Sequence, residues 1–257
     1  MKFNLIIKEG MVMMKREAIP IDFSFAPYVE TMTEAIQPLN PVLADKYDGF
    51  DITDIRDFKS DRISIKVKVY KADKIDKISI SRIEIFGLFC GCGCSITADE
   101  WHALPTYTSD WDENPKTNHI ITDLLPSADC GADIEYRKQY LDPLEPYWKT
   151  YKDMPGLEPI QLAWFRALQS PYIITGRPPH MPEKLNQMAL QCQIDYLKVF
   201  LDLWKNDKPR DKEYMKPLIQ RRNVARNMLR HNDPGEGPLT KMLGHSMAEK
   251  ILAAVMG

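Results

Sequence analysis

The chain has 257 residues, 44% of them apolar and 27% charged, with 34 Lys and Arg against 36 Asp and Glu and a formal charge of −2. That length supplies one large domain with a full core, and the composition excludes disordered and fibrous classes. The uncharged apolar stretches fall far short of the roughly 20 residues a bilayer helix needs, so no membrane span is expected.

In chain order, Met1 to Ile7 is cut by Lys8 and Glu9 and lacks the apolar centre and small-residue cleavage site of a secretory signal. Met11, Met13 and Met14 are alternative starts, and the expected location is the cytoplasm. Ala26 to Ile36 has the apolar spacing of a helix. Ile63, Ile65, Val67 and Val69 alternate with Ser64, Lys66 and Lys68, and Ile78, Ile80, Ile83 and Ile85 follow the turn-like Ala72 to Lys77, which predicts a hairpin with one buried face. Further strands are predicted over Ala103 to Thr108, His119 to Leu125 and Pro171 to Thr175, each bounded by Pro, Gly, Asn or Asp. The middle of the chain reads as a largely antiparallel sheet.

After Gly176-Arg177-Pro178-Pro179 the period changes. Leu185, Met188, Cys192, Tyr196, Val199, Phe200 and Leu203 predict a long amphipathic helix. A second runs through Leu218, Ile219, Ala225, Met228 and Leu229, and a third through Leu239, Met242, Leu243, Met247, Ile251 and Leu252. Strands followed by helices predict an α+β fold with helices packed over a sheet, in a single domain spanning 1–257.

Charge is uneven. From Lys205 onward 11 basic and 6 acidic residues give +5, leaving −7 for the first 204. Arg221, Arg222, Arg226 and Arg230 share one helix, where they form either a solvated face or a patch for substrate carboxylates or an acidic protein. Nucleic acid is not expected, because the chain is near neutral and carries no nucleic-acid motif.

Five cysteines, Cys90, Cys92, Cys94, Cys130 and Cys192, form no regular framework and fit a reducing compartment. Cys90-Gly91-Cys92-Gly93-Cys94 would put three thiols on one side of an extended segment. Zinc ligands are spaced more widely and need a second pair, so the motif reads as a Gly-rich strand end and no metal is expected. Phosphate-loop, dinucleotide and nucleophile-elbow motifs are missing. His102, His119, His180, His231 and His245 are scattered and each reads as structural or exposed. Chemistry, if present, falls to side-chain acids: Asp110 in Leu104-Pro105-Thr106-Tyr107-Thr108-Ser109-Asp110 and Asp233 in Asn232-Asp233-Pro234-Gly235 each sit among apolar and aromatic residues. In such surroundings a carboxyl stays protonated and can act as an acid on a large, flat, apolar substrate. The bland alternatives are a strand-end turn for Asp110 and a helix cap for Asp233.

Leu104-Pro105 with Tyr107 and Asp110, His119 to Pro126, Tyr140 to Lys149, Ser170 to Ile174, Tyr196 to Trp204, and Asp233-Pro234 with Gly244 and Ala248-Glu249 together resemble, in order, the ferredoxin-dependent bilin reductases. The resemblance covers 60–257, with 1–59 variable. It implies a three-layer αβα sandwich with a central, mainly antiparallel sheet, and biliverdin IXα held between the sheet and the C-terminal helices. It further implies electrons delivered singly by ferredoxin docked on a basic surface, no tightly bound cofactor or metal, a radical mechanism and a monomer. Asp110 and Asp233 map onto the proton donors, and Asn232, beside the second, is with Glu84 a candidate catalytic or substrate-contacting residue. In the phycocyanobilin-forming branch a His on the preceding strand works with the central Asp; the position aligned here is near Ile85, Ser79 to Cys94 holds no His, and Glu84 could take the role. The expected product leans to phycoerythrobilin. Other bilin products, a red chlorophyll catabolite reductase-like activity, a non-catalytic tetrapyrrole carrier and a plain interaction protein stay open, and no substrate-binding residue is assigned.

Overall fold

The computed structural model describes residues 4–8, 11–15, 27–178 and 183–256. Near the N-terminus β1 (Asn4–Lys8) and β2 (Met11–Lys15) pair as an antiparallel hairpin that the sequence patterns do not anticipate. Helix α1 (Tyr28–Ala35) follows, two residues shorter at its start than its apolar spacing suggests, with Ala26 outside the described residues.

The central sheet has eight strands. These are β3 (Val42–Leu43), β6 (Phe58–Lys59), β7 (Ile63–Ala72), β8 (Ile75–Ile85), β9 (Phe89–Ala98), β10 (Thr106–Glu113), β11 (Asn118–Leu125) and β12 (Ile174–Gly176). Their order is β12-β11-β10-β9-β8-β7-β3, with β6 also on β7, and every pairing is antiparallel. The short β4 (Lys46–Tyr47) and β5 (Phe50–Asp51) form a separate hairpin. The β7–β8 turn is tighter than expected: only Asp73 and Lys74 lie outside the strands, with Lys74 at φ +63°.

Side chains of successive strand residues point to opposite faces, and in β10 this division is visible in burial. Tyr107, Ser109, Trp111 and Glu113 are buried, while Thr106, Thr108, Asp110 and Asp112 keep some accessible surface. The Tyr107 face, with Ile78, Ile80, Cys92, Cys94, Ile96 and Leu124, packs on α1, on α2 (Ile134–Tyr140) and on α5 (Glu183–Asn206) through Tyr28, Met32, Tyr140, Ala189, Tyr196 and Phe200. Each large apolar side chain fully buried there contributes about 1.5–3 kcal/mol. Polar ties fix the register. The Tyr28 hydroxyl reaches the Ser109 carbonyl at 2.9 Å, and the Tyr107 hydroxyl donates to the Gln193 carbonyl at 3.0 Å.

The opposite face is covered by α6 (Lys212–Asn232), α7 (Glu236–Leu243) and α8 (His245–Val255). Leu239, Ala248, Ile251 and Leu252 pack on Ile63, Ile65, Val67 and Val69 of β7. The apolar period through 239–252 predicts one helix; the chain makes two, because Gly244 adopts φ +85°, a conformation favouring glycine. Arg222 anchors α6 to the β9–β10 connection. Its guanidinium is buried and donates to Ser127 Oγ at 2.8 Å, to the carbonyls of Asp99 at 2.8 Å and Leu104 at 3.0 Å, and to that of His102. The result is a helix–sheet–helix sandwich, the α+β architecture the order of strands and helices predicts.

Candidate active site on the sheet

Asp110 is the fifth residue of β10, in the middle of the sheet, and its side chain points to the α6–α8 face. Its cross-strand partner on β9 is Gly93, and the partner of Asp112 is Gly91. An added Cβ on Gly93 would stand 2.8 Å from Asp110 Oδ1, and one on Gly91 would stand 2.7 Å from Asp112 Oδ1. The two carboxylates therefore lean over β9 into space that only glycine leaves open. Cys90 to Cys94 forms the first half of a ten-residue strand, from its second to its sixth residue. Its cysteines point into the Tyr107-side core while its glycines form the floor beneath the acids, and all three thiols are free. Among the described residues no group of three or more His, Cys, Asp or Glu could hold a metal ion.

Asp233 lies between α6 and α7, where its Oδ1 accepts the Gly235 N–H at 2.6 Å. Burial pushes its carboxyl up to about 6, against the pull of that hydrogen bond, and the nearby charges of Asp112 and Glu236 add to the rise. Asp110 is raised well above the ordinary carboxylate range, first by desolvation and then by the charges of Asp112 and Asp233. It keeps some accessible surface although protein surrounds it. The fold thus brings together two acids 123 positions apart in sequence, and the charge of Asp233 acts on Asp110.

Three further features share this face. His119, opposite Asp112 on β11, places its Nδ1 3.2 Å from Asp112 Oδ2. Ser79, Ser95 and Thr97 contribute buried hydroxyls with no hydrogen-bond partner in the protein, free to meet a polar ligand. Lys77 is buried, with Nζ 2.7 Å from the Met256 carbonyl and 5.3 Å from the centre of the Tyr47 ring. Desolvation, reinforced by Arg226 and Arg230, holds its pKa well below the ordinary lysine value. A small cleft of about 20 Å³ runs between Thr97, Thr106 and Leu125 of the sheet and Ala225, Arg226 and Leu229 of α6, and Asp110, Asp112 and Asp233 do not line it. A larger one of about 430 Å³ lies on the other side of the sheet, between Tyr140 and Tyr147 and the end of α5.

Other expected site residues fall elsewhere. Glu84 pairs with Cys90 across β8 and β9 and so belongs to the cysteine face, where it lies 3.7 Å from Arg82; it cannot partner Asp110. The neighbour of Asp110 on the preceding strand is Gly93 and not Ile85, which pairs with Phe89 near the end of the sheet. The segment from Cys90 to Thr97 forms the strand beside Asp110. Asn232 is exposed and donates back to the Met228 carbonyl at 2.8 Å. The helix arginines are no open patch: Arg222 is buried, Arg221 donates to the Pro126 carbonyl at 3.2 Å, and Arg230 pairs with Asp48 at 2.6 Å. His180 lies outside the described residues. Sequence reasoning passed over Asp112, Gly91 and Gly93 as site residues and read His119 as an isolated ring. Their signal was spacing: two residues beyond Asp110 on one strand, and a Gly-x-Gly beside it.

Two carboxyls that burial raises above the ordinary carboxylate range, that of Asp233 to about 6, can give up protons in turn to a molecule held against the sheet. No protein-family model and no curated protein sequence matches this chain. Its architecture is that of an αβα sandwich, with Asp110 on the sheet face that α6 to α8 cover. The crystal structure of phytochromobilin synthase from tomato, in complex with biliverdin, has the same fold. It superposes with a TM-score of 0.75 over 88% of this chain and 80% of that one, at 19% identity.

Proposed function

We propose that the protein is a bilin reductase, an oxidoreductase that reduces biliverdin IXα by sequential one-electron transfers, each followed by protonation from Asp110 or Asp233. The observation carrying this reading is Asp110 itself: a carboxyl desolvated on the central strand, facing a second raised carboxyl on the α6–α7 connection, in a fold shared with a biliverdin complex. An electron added to a linear tetrapyrrole raises its basicity, so an acid held neutral at the working pH is what each step requires. Unpaired hydroxyls of Ser79, Ser95 and Thr97 suit the polar edges of such a pigment.

The electron donor in this reading is reduced ferredoxin, an acidic iron–sulfur protein, docking on a basic surface of a monomeric, cytoplasmic enzyme that holds no cofactor of its own. The engaged arginines of α6 leave that surface to other basic residues of the C-terminal region. A phycoerythrobilin-type product is favoured, because Gly93 beside Asp110 supplies no imidazole to share its proton. Asn232 and Glu84 take no part.

The test is anaerobic turnover. Biliverdin, ferredoxin and a ferredoxin-reducing system are mixed with the protein, the visible spectrum is followed, and pigments are separated by chromatography. Conversion through a radical intermediate to a blue-shifted bilin supports the reading and identifies the product. Binding without conversion points to a carrier or another tetrapyrrole, including a chlorophyll catabolite, and an unchanged spectrum overturns the assignment.

A further inference from the structure

We propose that Asp112 and His119 form a proton relay that reloads Asp110 from solvent between reduction steps. This rests on the bilin-reductase reading and extends it to residues that act through Asp110 without touching the substrate.

The geometry is that of a wire with a wet outer pair and a buried inner acid. His119 and Asp112 face each other across β11 and β10, with Nδ1 and Oδ2 3.2 Å apart. The histidine side chain is 21% exposed and that of Asp112 31%, so both meet water while Asp110 sits deeper. Asp112 follows Asp110 by two residues on the same face, roughly 7 Å along the strand. Gly91 lets the Asp112 carboxylate lie over β9 just as Gly93 does for Asp110, so the two acids lean the same way. The charged groups facing them are Asp110 on β10, Asp233 on the α6–α7 connection, Glu236 at the start of α7 and His119 on β11.

A multi-electron reduction uses Asp110 more than once, so the acid must regain a proton after each delivery. When Asp110 gives its proton to the reduced substrate it becomes a carboxylate. The His119 imidazolium passes its Nδ1 proton to Asp112 Oδ2, Asp112 passes one on to Asp110, and the imidazole takes a proton back from solvent. One proton enters for each delivered, and the electron comes separately from the external one-electron donor. The second carboxylate is needed because histidine alone, one strand over and two residues along, does not face Asp110 directly.

The experiment compares the wild-type protein with H119Q, H119A and D112N, using biliverdin, reduced ferredoxin and anaerobic conditions. Pigment affinity, kcat, the solvent deuterium isotope effect and rescue of H119A by added imidazole are measured. The relay predicts unchanged pigment affinity, a fall of about 10- to 100-fold in kcat, a larger isotope effect in all three variants, and partial rescue of H119A by imidazole. Variants with wild-type kcat and isotope effect overturn the relay while leaving the reductase reading intact. Loss of pigment affinity together with kcat, without rescue, also overturns it, because that is the signature of a structural role. Should the histidine variants not fold, D112N decides, since it keeps the shape of the side chain and removes only the acid. A wild-type protein that binds but does not convert biliverdin removes the reductase reading and the relay with it.

Discussion

Gly93 and Asp110 face each other across β9 and β10, so closely that a Cβ on the glycine would stand 2.8 Å from Asp110 Oδ1 and 3.3 Å from Ser81 Oγ. The atom that would have to move is the end of the aspartate side chain, not the strand. Gly93→Ala is therefore expected to change stability by less than about 1 kcal/mol, while swinging the acid away from its present direction. A displacement of this size costs about 100-fold in rate where a catalytic group must be aimed. Thermal melts beside turnover rates check this, and equal rates would mean that the carboxyl's direction is unimportant.

Asp110→Asn keeps the shape of the side chain and removes the acid. Pigment binding should survive while product formation falls by at least about 100-fold, with the substrate stalled after its first electron. The visible spectrum under reducing conditions reports both quantities. Unaltered product formation would take Asp110 out of the mechanism.

Asp233 should leave its mark on the pH dependence of stability. Its folded pKa, about 6, lies above the ordinary value of 3.8, so between those values the folded chain holds a proton the unfolded chain has released. Stability then falls as pH rises through that window. Asp233→Asn removes this slope. The variant should match the wild type below about pH 4 and exceed it by about 2 kcal/mol above pH 6, after allowing for the partial exposure of the group. Urea unfolding across pH 4 to 7 measures the difference, and parallel curves would show that Asp233 titrates normally.

Arg222 holds α6 to the sheet by charge-assisted bonds to one hydroxyl and several carbonyls. Arg222→Met keeps the apolar stem but orphans those acceptors, at about 1–3 kcal/mol for each left buried without a partner. A loss of about 3 kcal/mol or more in unfolding free energy is expected, and a loss under 1 kcal/mol would mean that water replaces the guanidinium.

Much of this protein is written in local patterns. The alternation of Ile63 to Val69 and Ile78 to Ile85 and the helical spacing of Leu185 to Leu203 determine the elements, because a strand repeats every two residues and a helix every 3.6. Their order determines the layered class, and burial among apolar neighbours marks Asp110 and Asp233 as acids. What the tertiary structure alone decided is which residues meet. Glu84 reads in sequence as a partner for Asp110, but strand register assigns them to opposite faces, and a shift of one residue would reverse the assignment. Cys90 to Cys94 reads as a Gly-rich strand end, and only its pairing with β10 sets its glycines beside Asp110 and Asp112. The four arginines of α6 look alike in composition, yet packing buries Arg222 and pairs Arg230 with Asp48. Periodicity is a property of neighbours along the chain, whereas register, facing and charge pairing depend on contacts between segments as far apart as Asp110 and Asp233, which form only when the chain folds.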